Sequence, residues 1–242
     1  MTVDFTQISK WITLLLRPIH WLLITFYFRV TICHADRIPR GVPIILTPTH
    51  RSMLDSLFIT QLMGGPVHYL VNEGNFHGFQ GWLLRKMACI SINLAHPSHH
   101  AMRQCTAIVE AGKPLVIFPE ATIYYYPPNQ VHVPLTPGAA WVSLLVAKEI
   151  APGAPVIVPI RLNYSDLQLK FRSRVEVVVQ PPIDTGPYCE LPKKEARQQL
   201  TERIQRELGD IANDSRVEEF PATEFLRQHG RKIMSWDASA DP

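Results

Sequence analysis

The chain has few charged residues and many apolar ones, a composition that excludes an intrinsically disordered chain, a collagen and a coiled coil. Asp, Glu, Lys and Arg make up only 19% of its 242 residues, against roughly 25% in an average soluble protein. Hydrophobic residues make up 46%, which is too many for an intrinsically disordered chain. The length fits one large domain better than two small ones. Proline, in contrast, is abundant. The chain has 21 prolines in 242 residues, which is nearly twice the usual share of about 5%.

The chain is also poor in cysteine, and this argues against a disulfide framework. Its four cysteines are widely and irregularly spaced, with no CxxC pair, so we predict free thiols in a reducing compartment. One dense histidine cluster, His96–His100, opens a predicted helix after Pro97 and has no carboxylate nearby. We therefore predict no metal site. The cysteines are Cys33, Cys89, Cys105 and Cys189.

Positive charge is in only small excess, and its distribution does not suggest a nucleic-acid partner. The formal net charge is +3, and no basic stripe with interleaved aromatic residues is present. The excess lies in residues 1–66, which contain six basic and three acidic side chains. This is also the region with the most apolar part of the chain.

Residues 11–32 are strongly apolar but contain no uninterrupted run of membrane-spanning length. Arg17, Pro18 and His20 break the segment, and its longest clean run, Trp21–Phe28, has eight residues, whereas a span needs about 20. No small-residue cleavage site follows, which argues against a signal peptide. Its aromatic and basic residues favour an interfacial membrane helix, with a buried packing helix as the alternative. We predict residues 1–32 to be a monotopic, membrane-associating segment.

From residue 42 onward, strand-like and helix-like patterns alternate. This is typical of a single α/β domain with a mainly parallel central sheet flanked by helices. We assign residues 33–212 to this domain and residues 213–242 to a polar C-terminal tail. The predicted strands are Pro43–Thr47, Val67–Val71, Cys89–Leu94, Pro114–Phe118, Pro155–Leu162 and Arg174–Val179. The predicted helices are Met53–Met63, Phe76–Met87, His99–Ala111, Gly138–Glu149 and Lys193–Leu208.

The segment Pro43–Met63 combines a predicted strand, a short loop and a helix. On one continuous helix His50 and Asp55 would lie about 140° apart, but if Ser52 caps the helix, Asp55 can point back toward His50. A carboxylate on one imidazole nitrogen leaves the other free to take a proton, as in a His–Asp general-base pair. A capping box, Ser52-x-x-Asp55, explains the same spacing without His50. The spacing alone does not choose between the two.

A second segment, Leu115–Thr122, carries a carboxylate, Glu120, at the end of a predicted parallel strand, where open α/β sheets place binding sites. The blocks HRSMLD, FPEAT and VPI occur in this order from His50 to Ile160. Together they resemble the glycerolipid acyltransferase family, whose signature is H-x4-D, a block around an arginine, F-P-E-G-T-R and V-P-[IV]. The resemblance covers residues 28–182.

The resemblance implies acyl transfer from a thioester, acyl-CoA or an acyl carrier protein, to a lipid hydroxyl. The family's default acceptor is 1-acylglycerol-3-phosphate, which gives phosphatidic acid. By resemblance, His50 is the base, Asp55 orients it, and Glu120 holds the acceptor. The resemblance implies no cofactor besides the thioester co-substrate, and the expected partners are membrane lipids at the cytoplasmic face, the acyl donor and, as one candidate carrier, an acyl carrier protein. The further predicted substrate-binding residues are Phe118, Pro119, Thr122 and Asn93.

Two departures from the family pattern concern the acceptor. Where the second block carries an arginine, this chain has Ser91-Ile92-Asn93-Leu94, and where the third carries Gly-Thr-Arg it has Ala121-Thr122-Ile123. Because a guanidinium suits a phosphate monoester, these changes predict intact catalysis with altered phosphate recognition. The alternatives are therefore acyl transfer to a non-phosphorylated lipid alcohol, and a catalytically silent membrane scaffold of the same fold.

Overall fold

A computed structural model describes residues 10–65, 67–93, 96, 98–123, 135–149, 155–166, 169–209 and 220–221 of the chain. The helices are α1 (Lys10–Leu22), α2 (Asp55–Met63), α3 (Gly78–Lys86), α4 (His99–Glu110), α5 (Gly138–Glu149) and α6 (Lys193–Gly209). The strands are β1 (Arg29–Cys33), β2 (Ile44–Pro48), β3 (His68–Asn72), β4 (Ile90–Ile92), β5 (Leu115–Val116), β6 (Val156–Tyr164), β7 (Arg174–Val179), β8 (Ile183–Asp184) and β9 (Phe220–Pro221).

The strands of the described residues form one sheet in the order β4-β3-β5-β2-β6-β7-β1-β9, with β8 paired to β6. Neighbours from β4 to β6 run parallel, whereas β7 is antiparallel to β6 and parallel to β1. The predicted α/β fold with a mainly parallel sheet and flanking helices is confirmed. Because β1 and β7 run opposite to β2, they begin at the edge where β2, β5 and β6 end.

The two faces of the sheet bury separate apolar clusters. On one face, Phe58 and Leu62 of α2 pack with Phe28 against alternate residues of β2 and β6. On the other, α4, α5 and α6 pack against the intervening residues of the same strands, including Ile45 and Ile157. Phe58 is fully buried, and burial of such a side chain contributes roughly 1.5–3 kcal/mol. This packing fixes α2 against strands β2 and β6.

Several element bounds differ from the predicted ones. β5 contains only Leu115–Val116, although Ile117 still donates to the Leu46 carbonyl, and Pro119 then offers no N–H to extend the ladder. β1 spans the predicted boundary at 32/33, so part of the N-terminal segment belongs to the sheet. Of the predicted C-terminal tail, the structure describes β9, which pairs with β1.

The N-terminal helix α1 is tied to the domain through His20, whose Nε2 lies 2.8 Å from the Leu57 carbonyl oxygen. A π-helical segment, Leu23–Tyr27, then leads into β1. No helix in the described part of the chain has both the length and the apolar character needed to span a bilayer. Large apolar side chains of this region are exposed, namely Trp11, Leu15, Ile19, Trp21, Leu22 and Phe26. The predicted membrane association of this segment stays a prediction.

Candidate active site

Three neighbouring strands deliver polar side chains to one edge of the sheet. The chain leaves β2 through Thr49 and His50, it leaves β5 through Phe118-Pro119-Glu120, and β6 ends at Tyr164. The Thr49 amide donates to the Ile160 carbonyl over 3.0 Å, and its hydroxyl accepts from the Leu162 amide over 2.9 Å. These bonds fix the start of the loop after β2 to β6, so the backbone just before His50 is held in place.

The structure brings His50 and Asp55 together. His50 Nδ1 lies 2.8 Å from Asp55 Oδ2, and Asp55 is fully buried at the first residue of α2. The same carboxylate accepts the backbone N–H groups of Arg51 at 2.7 Å and Ser52 at 2.9 Å. Half of a capping box is therefore present as well, because the Ser52 hydroxyl accepts from the Leu54 amide and not from Asp55. Asp55 serves both arrangements that the spacing allowed.

A third residue, Tyr164, completes the surroundings of Asp55. Its hydroxyl donates to Asp55 Oδ1, and burial, together with the charge of Asp55, raises the pKa of Tyr164 well above its usual value. The hydroxyl therefore stays protonated and remains a donor. Sequence reasoning missed this residue; its only signal is that a tyrosine at the end of a buried strand needs a hydrogen-bond partner.

Arg51 and Glu120 form a buried ion pair beside the histidine. Arg51 Nη1 lies 2.6 Å from Glu120 Oε2, and both side chains are almost inaccessible to solvent. The His50 amide donates to the other oxygen, Oε1, over 3.4 Å. Burial raises the pKa of Glu120, and the charge and hydrogen bond of Arg51 act against that rise. Both oxygens of Glu120 thus face the loop 50–51; its predicted acceptor-binding role stays a prediction, and Arg51 was not predicted.

The imidazole ring of His50 is packed on one face and partly open to solvent. It stacks on Phe118 with ring centroids 4.0 Å apart and planes 23° apart, and its side chain is 18% exposed. Phe118 in turn lies parallel to Tyr69 at 6.5 Å. Since Asp55 holds Nδ1, the nitrogen available to take a proton is Nε2. Phe118 therefore orients the histidine ring in this structure, and its predicted substrate-binding role stays a prediction.

The turn after Glu120 carries the other predicted residues of this segment. The Pro119 carbonyl accepts from both the amide and the hydroxyl of Thr136, at 2.7 and 2.9 Å. Ala121 adopts a left-handed conformation with φ of 61°, and the side chain of Thr122 is exposed. The turn directs the chain toward residues 124–134, which lie outside the described part of the structure.

Asn93 lies beyond β4, toward the edge of the sheet. Its amide donates to the carboxylate of Glu73, and its oxygen accepts from the His96 amide over 3.0 Å. An acidic side chain thus stands beside the position where the family pattern carries an arginine. The predicted substrate-binding roles of Asn93, Pro119 and Thr122 stay predictions.

The cysteines and the histidine cluster lie outside the His50–Asp55 pair. None of the four cysteines, all of which lie in the described part of the chain, forms a disulfide. Burial raises the pKa of Cys89 and of Cys105 to about 12, so both thiols are protonated at neutral pH. Among the described residues, no group of three or more His, Cys, Asp or Glu side chains is arranged to hold a metal ion.

Comparison with known proteins matches the region that contains this site. A protein-family model described as Acyltransferase matches residues 29–163, more than half of the chain. Among solved structures, the chain is similar to the 1-acyl-sn-glycerophosphate (LPA) acyltransferase PlsC from Thermotoga maritima. That match has a TM-score of 0.57 and 16% sequence identity, and it covers 82% of this chain and 78% of the other. The structural likeness shows a shared fold. The family model matches a region that includes His50, Asp55 and Glu120. The chain therefore belongs to the acyltransferase family.

Proposed function

We propose that this protein is a membrane-associated O-acyltransferase that moves a fatty acyl chain from a thioester to a glycerolipid hydroxyl. The donor is acyl-CoA or an acyl carrier protein, and the first acceptor is 1-acylglycerol-3-phosphate, which yields phosphatidic acid at the cytoplasmic face of a membrane. The observation that carries the proposal is the His50–Asp55 pair, 2.8 Å apart at the carboxyl edge of the parallel strands. Family membership supports acyl transfer, and the likeness to PlsC supports a glycerolipid acceptor.

In the proposed reaction, Nε2 of His50 takes the proton of the acceptor hydroxyl. Asp55 stabilises the imidazolium at Nδ1, which is the orienting role of the carboxylate in a His–Asp pair. The acceptor oxygen attacks the thioester carbonyl carbon; a C–O bond forms, the C–S bond breaks, and the leaving thiolate takes the proton from His50. This route needs no serine or cysteine nucleophile and no acyl-enzyme intermediate.

The remaining buried groups hold the base in position. Tyr164, together with the Arg51 and Ser52 amides, fixes the Asp55 carboxylate. Glu120 holds the loop through the guanidinium of Arg51 and the amide of His50. We therefore assign Glu120 a positioning role in addition to the acceptor contact that the family resemblance implies.

A second candidate function is acyl transfer to a neutral lipid alcohol. It is supported by the residues that stand in place of the family's two arginines, Ile123 and Asn93, and by the Glu73 carboxylate beside Asn93. A buried phosphate dianion without a cation is costly, whereas a hydroxyl headgroup is compatible with these residues. The intact His50–Asp55 pair argues against a scaffold without turnover.

The test is thioester consumption by the purified full-length protein. Free thiol is measured with acyl-CoA or acyl carrier protein as donor, and with 1-acylglycerol-3-phosphate or monoacylglycerol as acceptor. We expect acceptor-dependent thiol release and a roughly 10²–10⁴-fold loss in His50→Ala, the usual contribution of a general base. Met53→Ala, an exposed position in the same loop, is the matched control and keeps activity. Near-normal turnover in His50→Ala would refute the mechanism, and no turnover with any acceptor would favour the scaffold.

A further inference from the structure

The loop between β6 and β7 presents an exposed basic and aromatic surface at the same edge of the sheet as His50. It follows Tyr164, whose hydroxyl contacts Asp55. Within the loop, the phenyl ring of Phe171 is 64% exposed. The cationic side chains around it, Lys170, Arg172 and Arg174, are exposed as well.

Residues 169–173, the described part of the loop next to β7, have a defined conformation that keeps Phe171 exposed. Leu169 and Arg172 adopt left-handed backbone angles, with φ of 51° and 64°. This conformation is unfavourable for residues other than glycine. The Tyr27 hydroxyl donates to the Leu169 carbonyl over 3.2 Å, and the Arg172 amide donates to the Tyr27 carbonyl over 2.6 Å. Unfavourable backbone conformations held by several contacts tend to occur where they serve a function.

The loop is continuous with the exposed residues of the N-terminal segment. The rings of Phe171 and Tyr27 meet edge-on with centroids 5.7 Å apart, and Trp21 and Phe26 meet in the same way at 5.5 Å. Arg29 and Arg174 are directly paired positions of β1 and β7, so their exposed side chains lie side by side. We name this the docking surface; it consists of Trp21, Leu22, Phe26, Tyr27, Phe171, Arg29, Lys170, Arg172 and Arg174.

We infer that the docking surface binds anionic phospholipid bilayers and turns the edge that carries His50 toward the lipid. Aromatic side chains enter the boundary between headgroups and acyl chains, and neighbouring basic side chains pair with lipid phosphates. The local charge complements such a membrane: Lys170 and Asp166, the acidic residue of the loop, offset each other at 3.0 Å, and the exposed Arg29, Arg172 and Arg174 leave an excess of positive charge. The exposed aromatic rings favour a bilayer over an acidic soluble protein. The inference rests on the proposed function, in which the lipid acceptor and the acyl chain of the donor reach His50 at this edge of the sheet.

The test uses full-length protein and sedimentation with lipid vesicles. One set contains phosphatidylcholine alone and the other equal parts of phosphatidylcholine and phosphatidylglycerol. We expect the double variant Arg172→Gln/Arg174→Gln to bind the anionic vesicles about tenfold to thirtyfold more weakly, since each basic side chain near such a surface contributes roughly fivefold. Binding to neutral vesicles is expected to change little. Phe171→Ser is expected to lower binding to both kinds by about tenfold.

The matched control is Lys193→Gln/Lys194→Gln, which removes the same charge at the start of α6. That helix follows β8, which pairs with the first residues of β6 at the opposite edge of the sheet, so this control is expected to bind vesicles like the unaltered protein. Thermal unfolding midpoints check that every variant is folded. All variants keep α1, which separates the contribution of the loop from that of the N-terminal helix.

Three results would overturn the inference. The first is unchanged binding of Arg172→Gln/Arg174→Gln to anionic vesicles, and the second is an equal loss of binding in the α6 control. The third is that the unaltered protein binds a soluble acyl carrier protein through these arginines but does not bind vesicles. Thioester consumption in detergent micelles is measured in parallel, where the docking variants are expected to keep turnover. Vesicle binding without acyl transfer in the unaltered protein would leave the docking surface intact and refute the proposed function, so the two failures are distinguishable.

Discussion

The two ends of the candidate site are built differently. At the proposed catalytic end, where β2, β5 and β6 finish, Asp55 and Glu120 are buried, and their carboxylates are held by hydrogen bonds from backbone and side-chain donors. At the proposed acceptor end, Thr122 is exposed, and Asn93 and Ile123 are only half-buried.

This difference explains how the chain can match its family at one end and depart from it at the other. A buried polar group that loses its partner costs free energy, so a change at the catalytic end disturbs the fold as well as the chemistry. An exposed side chain at the acceptor end can change with little effect on folding. We therefore expect substitutions at the proposed acceptor end to cost less stability than substitutions at the proposed catalytic end.

The largest effect is expected from breaking the buried ion pair. Arg51→Met leaves Glu120 buried without its cation, and removal of one partner from such a pair typically costs about 3–5 kcal/mol of the free energy of unfolding. Chemical denaturation of the purified variant measures this loss. The double variant Arg51→Met/Glu120→Leu is the control and is expected to recover much of it, because no charge is then left unpaired. A single variant as stable as the unaltered protein would mean that Glu120 finds another cation.

The same variant has a predictable pH dependence. Burial already raises the pKa of Glu120, and Arg51 lowers it, so loss of Arg51 raises that pKa further. The folded variant then keeps a proton that the unfolded chain releases near its ordinary value of 4.5. The contribution of Glu120 to the free energy of unfolding of the variant is therefore fully present below that pH and is lost as the pH rises toward neutrality. Thermal unfolding midpoints at several pH values, compared with those of the unaltered protein, test the sign.

A smaller effect at the catalytic end is expected from Tyr164→Phe. The substitution keeps the ring but removes a donor to Asp55 Oδ1, which costs about 1–3 kcal/mol of stability. If about 1.4 kcal/mol of that appears as poorer orientation of His50, kcat falls about tenfold while KM is unchanged. Tyr69→Phe is the control, because it removes the donor to the Ser56 carbonyl and leaves Asp55 untouched. Equal kcat losses in both variants would show a general structural effect.

The sequence alone was sufficient for most helices but not for these supporting contacts. The bounds of α5 agree with the predicted Gly138–Glu149, because its apolar residues repeat at helical spacing. β1 was hidden within the apolar N-terminal segment, where continuous hydrophobicity masks the alternation of a strand. The partners of Asp55 and Glu120 were missed because Tyr164 and Arg51 lie 109 and 69 positions away from them along the chain. Local patterns contain no record of such pairs.

At the acceptor end, Ile123→Arg is expected to change substrate preference more than stability. A guanidinium at the position where the family carries one adds a charge-assisted hydrogen bond, worth about 1.5–3 kcal/mol. We expect the rate with 1-acylglycerol-3-phosphate, relative to monoacylglycerol, to rise about tenfold. Ala107→Arg, which adds the same charge at an exposed position of α4, is the matched control and is expected to leave the preference unchanged. If the unaltered protein strongly prefers the phosphorylated acceptor and Ile123→Arg abolishes that preference, another cation already occupies the pocket.

The smallest effect is expected at Ala121, the residue that joins the two ends of the site. It holds a left-handed φ of 61° at the position where the family pattern has glycine, and this conformation costs a residue with a Cβ roughly 1–2 kcal/mol. Ala121→Gly removes that cost but gives the unfolded chain more freedom, which offsets about 0.4–1 kcal/mol. We expect a net gain of about 0.5–1 kcal/mol, or about 1–4 °C in the unfolding midpoint, with turnover unchanged. Ala107→Gly, at an exposed position inside α4, is the control of opposite sign and is expected to lose about 1 kcal/mol. A lower midpoint in Ala121→Gly would mean that the methyl group of Ala121 contributes packing that outweighs its backbone cost, and the turn would then belong with the buried catalytic end.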